Sequence, residues 1–294
     1  MISIVLSALL LVGVVPGNAK AAGILAGFRD PFPSGAATGQ SSIVEGRFGY
    51  LWGFDEIWFR DGDNSLIGPA KQEVTLNSLA FGLYGETFLL SDLTARVQAW
   101  INVPNEWRND FLFDGVERAW DSRTRYLGVD LSIAYFFGLG GPPYRAGLVA
   151  GYRYNDFDYR SHLVSLEAGS FNDHLQVHIP YLGISYAHSR FMGSVVRLDI
   201  LASWLTLCRL DGERDLEGEA MQIDGHSVTG FWCEALFAWS FPLTENALAG
   251  LFVKYNYLEL SGGATVKLGL SETRFSMDSR SHLILTGLTV SYAF

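Results

Sequence analysis

Residues 282–294 read HLILTGLTVSYAF, and the alternation in this stretch decides the fold of the whole chain. In an extended strand, successive side chains point to opposite faces of the sheet. One face is apolar except for one threonine: it carries Ile284, Thr286, Leu288, Val290, Tyr292 and Phe294. The other face carries the small or polar residues Gly287, Thr289, Ser291 and Ala293. This combination predicts the wall of a β-barrel that faces lipid on its outside.

The same alternation recurs along the chain, with a turn after each segment. The connections alternate between short ones and long ones such as residues 104–123 and 158–173, which is typical of periplasmic turns and extracellular loops. A sheet that spans lipid must close, because an open edge leaves backbone groups unpaired in hydrocarbon. We therefore predict an all-β, antiparallel transmembrane β-barrel of ten strands, with eight or twelve strands as the alternatives. The predicted strands are about 42–59, 73–88, 93–102, 127–137, 144–157, 174–186, 191–206, 225–241, 247–260 and 282–294.

The N-terminal residues predict export. Residues 2–15 are apolar and are followed by small residues up to Ala21, so we expect a signal peptide at residues 1–21. This run is shorter than the ~20 apolar residues of a transmembrane helix. Residues 22–41 are rich in Gly, Ala, Pro and Ser and predict a periplasmic lead-in. Residues 42–294 then form the barrel, and the expected location is the bacterial outer membrane.

Composition narrows the classes of ligand. The formal net charge of -10 argues against nucleic acid, whose phosphates need a basic surface, and is compatible with a cationic ligand. Aromatic residues make up 14% of the chain, as the aromatic girdles of a membrane barrel require. The chain contains no Ser-elbow motif and no HExxH pair, and we predict no cofactor and no metal site.

Seven charged residues fall on inward positions of the predicted strands, and we expect them to form ion pairs in a polar lumen. They are Arg96, Asp130, Arg153, Arg197, Asp199, Glu234 and Lys254. On the lipid side, an Arg or Lys at mid-wall would cost about 2 to 4 kcal/mol.

The two cysteines are predicted to be free thiols. The strand bounds place Cys208 opposite Asp224, so Cys233 lies nine residues further along its strand. That offset is roughly 30 Å, whereas a disulfide needs a Cα separation below about 7 Å.

Three segments resemble the omptins, a family of ten-stranded outer-membrane barrels. They are WDSR at residues 120–123, PYRAGLVAGY at 143–152 and PYLG at 180–183, and the resemblance covers roughly residues 94–257. Omptins are endoproteases that cleave next to basic residues, so the resemblance implies a cell-surface endopeptidase. The last predicted strand, which ends in Phe294, resembles the closing strand of outer-membrane barrels. This resemblance implies recognition by the barrel-assembly machinery.

The resemblance also implies where a catalytic site would lie. The omptin site places an Asp-x-Asp element opposite an Asp-x-His element, whose His and Asp activate a water molecule as general base. Asp211 takes the first position of Asp-x-His, but Glu213 stands where the family has His. Across the cleft, Leu112 and Asp114 take the positions of Asp-x-Asp. His226, predicted to point inward on its strand, is the nearest substitute base, so the candidate catalytic residues are Asp114, Asp211, Glu213 and His226.

Omptins also bind lipopolysaccharide on the outer wall through basic and aromatic groups. Tyr152 matches a position of that site, whereas Tyr154 and Asp156 stand where a Glu and a basic residue are expected. Outer-membrane lipids, lipopolysaccharide among them, are therefore expected partners through contacts that differ in part from those of the family.

Two functions follow from these residues. The first is an omptin-like barrel that lacks standard proteolysis and binds cationic ligands or peptides at an acidic extracellular rim, residues 211–219. The second is an outer-membrane endopeptidase that uses a rearranged Asp, Glu and His site. A passive pore is disfavoured, because side chains fill the lumen of small barrels.

Overall fold

The computed structural model describes residues 42–60, 70–90, 92–113, 116–137, 144–163, 169–189, 194–216, 219–244, 246–269 and 271–293. The predicted signal peptide and lead-in lie outside these residues. Among the described residues, no helix is long and apolar enough to cross a membrane. The strands are β1 (Ser42–Arg60), β2 (Ala70–Phe88), β3 (Leu93–Asn102), β4 (Glu106–Phe113), β5 (Val116–Phe137), β6 (Tyr144–Leu163), β7 (Gly169–Ser189), β8 (Val195–Ser203), β9 (Leu207–Leu216), β10 (Glu219–Pro242), β11 (Ala247–Leu268) and β12 (Ser271–Ala293).

These strands form one closed antiparallel ring. The ring closes because β1 pairs with both β2 and β12. Strands β3 and β4 occupy one position in the wall, since both pair with β2 and β5. Strands β8 and β9 likewise share the position between β7 and β10. The twelve strands therefore make ten wall positions, and the predicted ten-stranded barrel is confirmed.

An apolar band surrounds the half of the barrel in which β1 begins and β12 ends. On β5 it runs over the outward residues from Leu127 to Phe137, where Ile133 is 51% exposed. That length is about 33 Å along the strand and about 25 Å across the bilayer at a tilt near 40°. On β12 the band includes Leu288, Val290 and Tyr292, as the sequence predicts. A closed wall with such a band is built for hydrocarbon on its outside, and the chain is a bacterial outer-membrane barrel.

The strands continue well beyond this band at the other end of the barrel, where β1 ends and β12 begins. Strand β10 has 24 residues, whereas crossing a bilayer takes about 9 to 11. We call the part beyond the band the extension. It comprises residues 55–60, 70–75, 106–113, 116–125, 156–163, 169–176, 207–216, 219–227, 259–269 and 271–281. Outer-membrane barrels have their long connections on the extracellular side, so an extracellular position of the extension stays a prediction from the sequence.

The long loops expected from the sequence are mostly strand. Residues 104–123 contain β4 and the start of β5, residues 158–173 contain the facing ends of β6 and β7, and the acidic run from residue 211 belongs largely to β9. In the extension the alternation is reversed, with apolar side chains inside the barrel and polar ones outside. On β6, for example, Phe157 and Tyr159 are buried, whereas Arg160 is exposed. A segment with a polar outer face and few apolar residues therefore reads as a loop.

Ion pairs fill the lumen at the level of the band. Arg153 pairs with Asp130 at 2.8 Å and with Glu234, which also receives Lys254 at 2.9 Å. A second group joins Glu86, Arg96, Arg197 and Asp199, with the closest pair between Arg197 and Asp199 at 2.6 Å. All seven predicted inward charges take part, so both their orientation and their pairing are confirmed. The cavity between the two groups has a volume of only about 20 Å³, room for about one water molecule.

The lumen of the extension is filled by aromatic and aliphatic side chains instead. Trp120 stacks on Phe171 with ring centroids 4.0 Å apart, and Phe157 stacks on both Tyr126 and Tyr159. Burial of each large apolar side chain contributes about 1.5 to 3 kcal/mol. The hydrophobic core runs on into the membrane half, where apolar side chains such as Trp100, Trp232 and Phe252 are buried beside the ion pairs.

Cys208 and Cys233 form no disulfide, as predicted. The predicted register was wrong by three residues, since Cys208 lies opposite Ser227 and not opposite Asp224. Cys233 lies opposite Ala202 on β8. The two thiols therefore belong to different stretches of the wall.

Candidate functional site

A row of titratable side chains crosses the outer wall of the extension. In the β7–β9 ladder His174 lies opposite Asp211, and in the β9–β10 ladder Asp211 lies opposite Asp224. On the other side His174 lies opposite Asp158 of β6. Neighbouring strands are about 4.8 Å apart, so four strands bring an imidazole and three carboxylates side by side on one surface.

His174 is fixed in this row by a carboxylate. Its Nε2 lies 2.5 Å from Oδ1 of Asp156, with the imidazole 42% exposed and the carboxylate 12% exposed. A carboxylate that holds one imidazole nitrogen orients the ring and leaves the other nitrogen available, which is the arrangement of a general base. Strands β6 and β7 impose this geometry, because both residues occupy outward positions of one ladder.

A hollow of about 460 Å³ lies beside this row, across β7, β9, β10 and β11. Three carboxylates border it, Asp211, Glu213 and Asp224, together with one cation, Lys267, and with His174. Asp211 also pairs with Arg209 at 3.0 Å, and both of these side chains are largely exposed. The hollow is therefore open to solvent and carries more acid than base, which suits a cationic group.

Two local irregularities turn these acidic residues outward. On β8 the residues with odd numbers, such as Leu201 and Ser203, are buried, whereas on β9 Cys208 and Leu210 are buried. The change occurs at residues 204–206, where the strand is interrupted. A shift by one residue moves every following side chain to the other face.

Strand β10 makes the matching change through a β-bulge. Its register against β11 shifts between Ser227 and Thr229. Below the bulge Glu234 and Trp232 are buried, and above it Ile223 and Met221 are buried. An extra residue in one strand is what a β-bulge supplies. Each irregularity shifts the alternation by one residue, so the buried residues of β9 lie beside the buried residues of β10.

The predicted catalytic residues are placed as follows. Asp211 and Glu213 stand next to each other on the outer wall, not in a cleft at the barrel mouth. His226 is exposed on the outer wall, opposite Arg209. The prediction that His226 points inward was wrong, because the count along its strand passed through the bulge. Asp114 lies outside the described residues.

Sequence reasoning missed the pair of Asp156 and His174 as a site. Both residues alternate with buried neighbours, Phe157 and Leu175, which is a strand signal. Asp156 and His174 were placed in the two predicted strands, but residues 158–173 between them were predicted to be a loop, so the register of the β6–β7 ladder was not predicted. Tyr152, which matches the lipid-binding position of the omptins, is exposed, and its hydroxyl shares a hydrogen bond with Nδ1 of His178.

Two further aspartates are buried inside the extension. Tyr159 donates a hydrogen bond to Asp55, which lies just above Phe54, the last outward aromatic residue of the band on β1. Burial raises the pKa of Asp55 to about 6, although this hydrogen bond acts in the opposite direction. Asp173 pairs with Arg214 at 3.0 Å. Neither aspartate borders the hollow.

In the part of the chain that the structure describes, no three His, Cys, Asp or Glu side chains are arranged to hold a metal ion.

Comparison with known proteins identifies the fold. The search against family models found no match, and none of the curated proteins matches. Among solved structures, the chain is similar to the outer membrane protease OmpT from Escherichia coli, with 12% sequence identity, a TM-score of 0.70 and coverage of 86% of this chain and 97% of that one. Another match is the outer membrane protein OprG from Pseudomonas aeruginosa, with 14% identity, a TM-score of 0.45 and coverage of 86% and 95%. At this identity the likeness to OmpT establishes the fold alone.

Proposed function

We propose that this chain is a surface-exposed outer-membrane barrel that binds cationic ligands, such as basic peptides, on the outer wall of its extension. The observation that carries the proposal is the hollow of about 460 Å³ bordered by Asp211, Glu213 and Asp224. A Lys or Arg side chain placed there would meet three carboxylates within one concavity. The net charge of -10 adds a long-range attraction for basic molecules.

The same residues argue against standard omptin proteolysis. The Asp-x-His element has Glu213 in place of its His, so the imidazole that acts as general base in that element is missing. Asp211 and Glu213 also lie on the outer wall, whereas the inner positions beside them hold Leu210 and the buried Arg214. The acidic rim predicted from the sequence is, in this proposal, an acidic outer wall.

Titration of the folded chain in detergent micelles with a fluorescent oligolysine peptide tests the proposal. The variant Asp211→Asn/Glu213→Gln/Asp224→Asn should bind roughly tenfold more weakly, since each exposed ion pair contributes up to about 1 kcal/mol. Raising the salt concentration should weaken binding to the original chain more than binding to the variant.

A matched control removes the same charge elsewhere on the outer wall. Glu73→Gln/Glu259→Gln/Asp278→Asn neutralises three carboxylates that are 46%, 39% and 38% exposed. This variant should bind the peptide nearly as well as the original chain. Equal losses in the two variants would mean that only the total charge matters, and the hollow would then not be the site.

One observation favours a second candidate, a hydrolase of the outer wall. The imidazole of His174, held by Asp156 at 2.5 Å and facing Asp211 across the ladder, could act as a general base for a water molecule. Incubation with a fluorogenic dibasic peptide in the presence of lipopolysaccharide separates the two candidates. Cleavage that disappears in His174→Ala and persists in His162→Ala, which also changes an exposed histidine, would replace the binding proposal by this one.

Two partners are also proposed. The alternation of β12 and its aromatic residue Tyr292 support recognition by the barrel-assembly machinery. The apolar band supports contact with outer-membrane lipids, including lipopolysaccharide. Refolding assays with and without each component would test both.

A further inference from the structure

Charges of opposite sign border the hollow on its two sides. Asp211 and Glu213 of β9 and Asp224 of β10 lie on one side, and Lys267 of β11 lies on the other. All four residues occupy outward positions of their strands, and the side chains of Glu213, Asp224 and Lys267 are exposed. The hollow therefore has an acidic side and a basic side.

The strand ladders hold these charges apart. In the β9–β10 ladder Glu213 lies opposite Gln222, and in the β10–β11 ladder Gln222 lies opposite Lys267. A neutral side chain therefore stands between Glu213 and Lys267, whose backbones are about 10 Å apart across two strand spacings. Asp224 lies opposite Thr265, two residues from Lys267. Asp224 and Lys267 are thus a diagonal pair, about 7 to 8 Å apart.

The charges on the two sides of the hollow do not neutralise each other. Among the described residues, Lys267, Glu213 and Asp224 form no ion pair. On β12, Glu272 lies opposite Lys267, and Arg274 is the next outward residue, so the charges of these two side chains cancel. Neither of them borders the hollow. The ammonium group of Lys267 is therefore available to an anionic group of a ligand, just as the carboxylates are available to a cation.

We propose that the hollow binds the C-terminal residue of peptides that end in lysine or arginine. An extended lysine holds its ammonium group about 7 Å from its own α-carboxylate, given ordinary bond lengths. This length matches the diagonal separation of Asp224 and Lys267. The side-chain cation pairs with the carboxylates, and the α-carboxylate pairs with Lys267. This assignment of the ligand rests on the binding of cations proposed above.

The size and the neutral lining of the hollow suit such a ligand. Its volume of about 460 Å³ lies within the range of about 300 to 1,000 Å³ that is usual for small-molecule sites. Gln222 and Thr265 lie between the acidic and the basic side. Their amide and hydroxyl groups donate and accept hydrogen bonds, as the last peptide group of the ligand requires. A basic residue inside a chain has no carboxylate for Lys267, so charge complementarity favours the chain end.

The test compares two peptides that differ only at the chain end, with the full chain folded in dodecyl maltoside. Both are dansyl-Gly-Ser-Gly-Lys, one with a free carboxylate and one with a C-terminal amide, and dansyl fluorescence reports binding. The amide carries one more positive charge, so general attraction to a chain with a net charge of -10 favours the amide. We expect the opposite order, with the free carboxylate bound about fivefold more tightly, as one exposed ion pair allows.

Substitutions at Lys267 separate this preference from general electrostatics. Lys267→Gln should abolish the preference for the free carboxylate, and Lys267→Glu should reverse it. The matched control Arg280→Gln removes another cation of the outer wall, 56% exposed, and should keep the preference. The variant Asp211→Asn/Glu213→Gln/Asp224→Asn should weaken the binding of both peptides.

The outcomes distinguish this assignment from the proposed function. If the original chain binds the amide as tightly as the free carboxylate or more tightly, and the triple variant weakens both, the assignment is overturned and the cation site stands. The same loss of preference in Arg280→Gln and Lys267→Gln would also overturn the assignment. Undiminished binding of both peptides by the triple variant would overturn the proposed function, and the assignment with it.

Discussion

Glu234 and His226 lie on the same strand an even number of residues apart, yet Glu234 points into the barrel and His226 points away from it. The bulge between Ser227 and Thr229 separates them. Because of this one extra residue, the membrane half of β10 presents its charges to the lumen and the extension presents them to solvent. The outward position of Asp224, one of the three carboxylates of the hollow, therefore depends on the bulge.

Removal of Val228, the residue without a partner in the β10–β11 register, should unfold the extension and leave the membrane half intact. The deletion would turn Met221 and Ile223 toward solvent and Asp224 toward the hydrophobic core. Limited proteolysis should then cut within residues 207–226. Val228→Ala keeps the chain length and should resist the protease, and equal resistance of both variants would contradict the role of the bulge.

Replacement of the buried Asp55 by Asn should stabilise the barrel at neutral pH. The pKa of Asp55 is raised to about 6 in the folded chain, against about 3.9 when unfolded. The folded state therefore binds the proton more tightly, and stability falls as pH rises from about 4 to about 6. Above that range the ionised carboxylate costs about 3 kcal/mol. Urea unfolding should show a more stable Asp55→Asn at pH 7.5 and little difference near pH 4; a variant that is less stable at both pH values would contradict this.

Neutralising Glu234 should strongly destabilise the membrane half. Glu234 forms ion pairs with Arg153 and with Lys254, the latter at 2.9 Å. The substitution Glu234→Gln would leave both cations with one fewer partner in a buried site. Loss of one member of a buried ion pair costs about 3 to 5 kcal/mol. The double variant Glu234→Gln/Lys254→Met removes one of the orphaned cations and should recover part of the loss in urea unfolding. No recovery would mean that Glu234 matters for its packing alone.

Two tryptophans offer a direct comparison of the core of the extension with the outer surface. Trp120 is 2% exposed and stacks on Phe171, whereas Trp204 is 75% exposed at the interruption between β8 and β9. Trp120→Ala should lower the free energy of unfolding by about 3 to 5 kcal/mol. Trp204→Ala should change it by less than about 1 kcal/mol. Similar losses would show that the aromatic packing of the extension is not cooperative with the rest of the fold.

A methyl group at Gly287 should prevent the ring from closing properly. A Cβ there would lie 2.1 Å from the carbonyl oxygen of Phe48 and 2.5 Å from Cα of Gly49 on β1. Gly46 is in the same pairing of β1 with β12, but its added Cβ would come no closer than 3.9 Å to the nearest atom. The refolded fraction, measured by the gel shift of the heat-resistant barrel, should fall in Gly287→Ala and stay unchanged in Gly46→Ala. Unchanged refolding in both would contradict the tight approach.

The membrane half could be predicted from the sequence because lipid imposes a strict rule on it. Val290 and Tyr292 must be apolar and Thr289 need not be, so the period of two is plain in the residues themselves. The inward charges, such as Arg153 and Lys254, follow from the same count. Closure into a ring follows from the need to pair every strand edge in hydrocarbon.

The extension and the candidate site could not be predicted in the same way. A bulge such as that at Ser227 adds one residue and leaves no mark in composition, yet it inverts the face of every residue beyond it. The pairing of Asp156 with His174 depends on the register of two strands whose outer faces are polar and meet water on that side. Such faces carry no apolar pattern, so their side chains could not be assigned to a site.

The pairing of β1 with β12 runs from Ile43 opposite Ala293 to Arg60 opposite Ser276, and so it joins the first part of the barrel to be synthesised with the last. A chain cut short before β12 would retain two long unpaired edges, on β1 and on β11. Open edges recruit strands from other chains. The pairing of β12 with β1 and β11 removes both edges at once, so β12 protects the barrel against association with other chains.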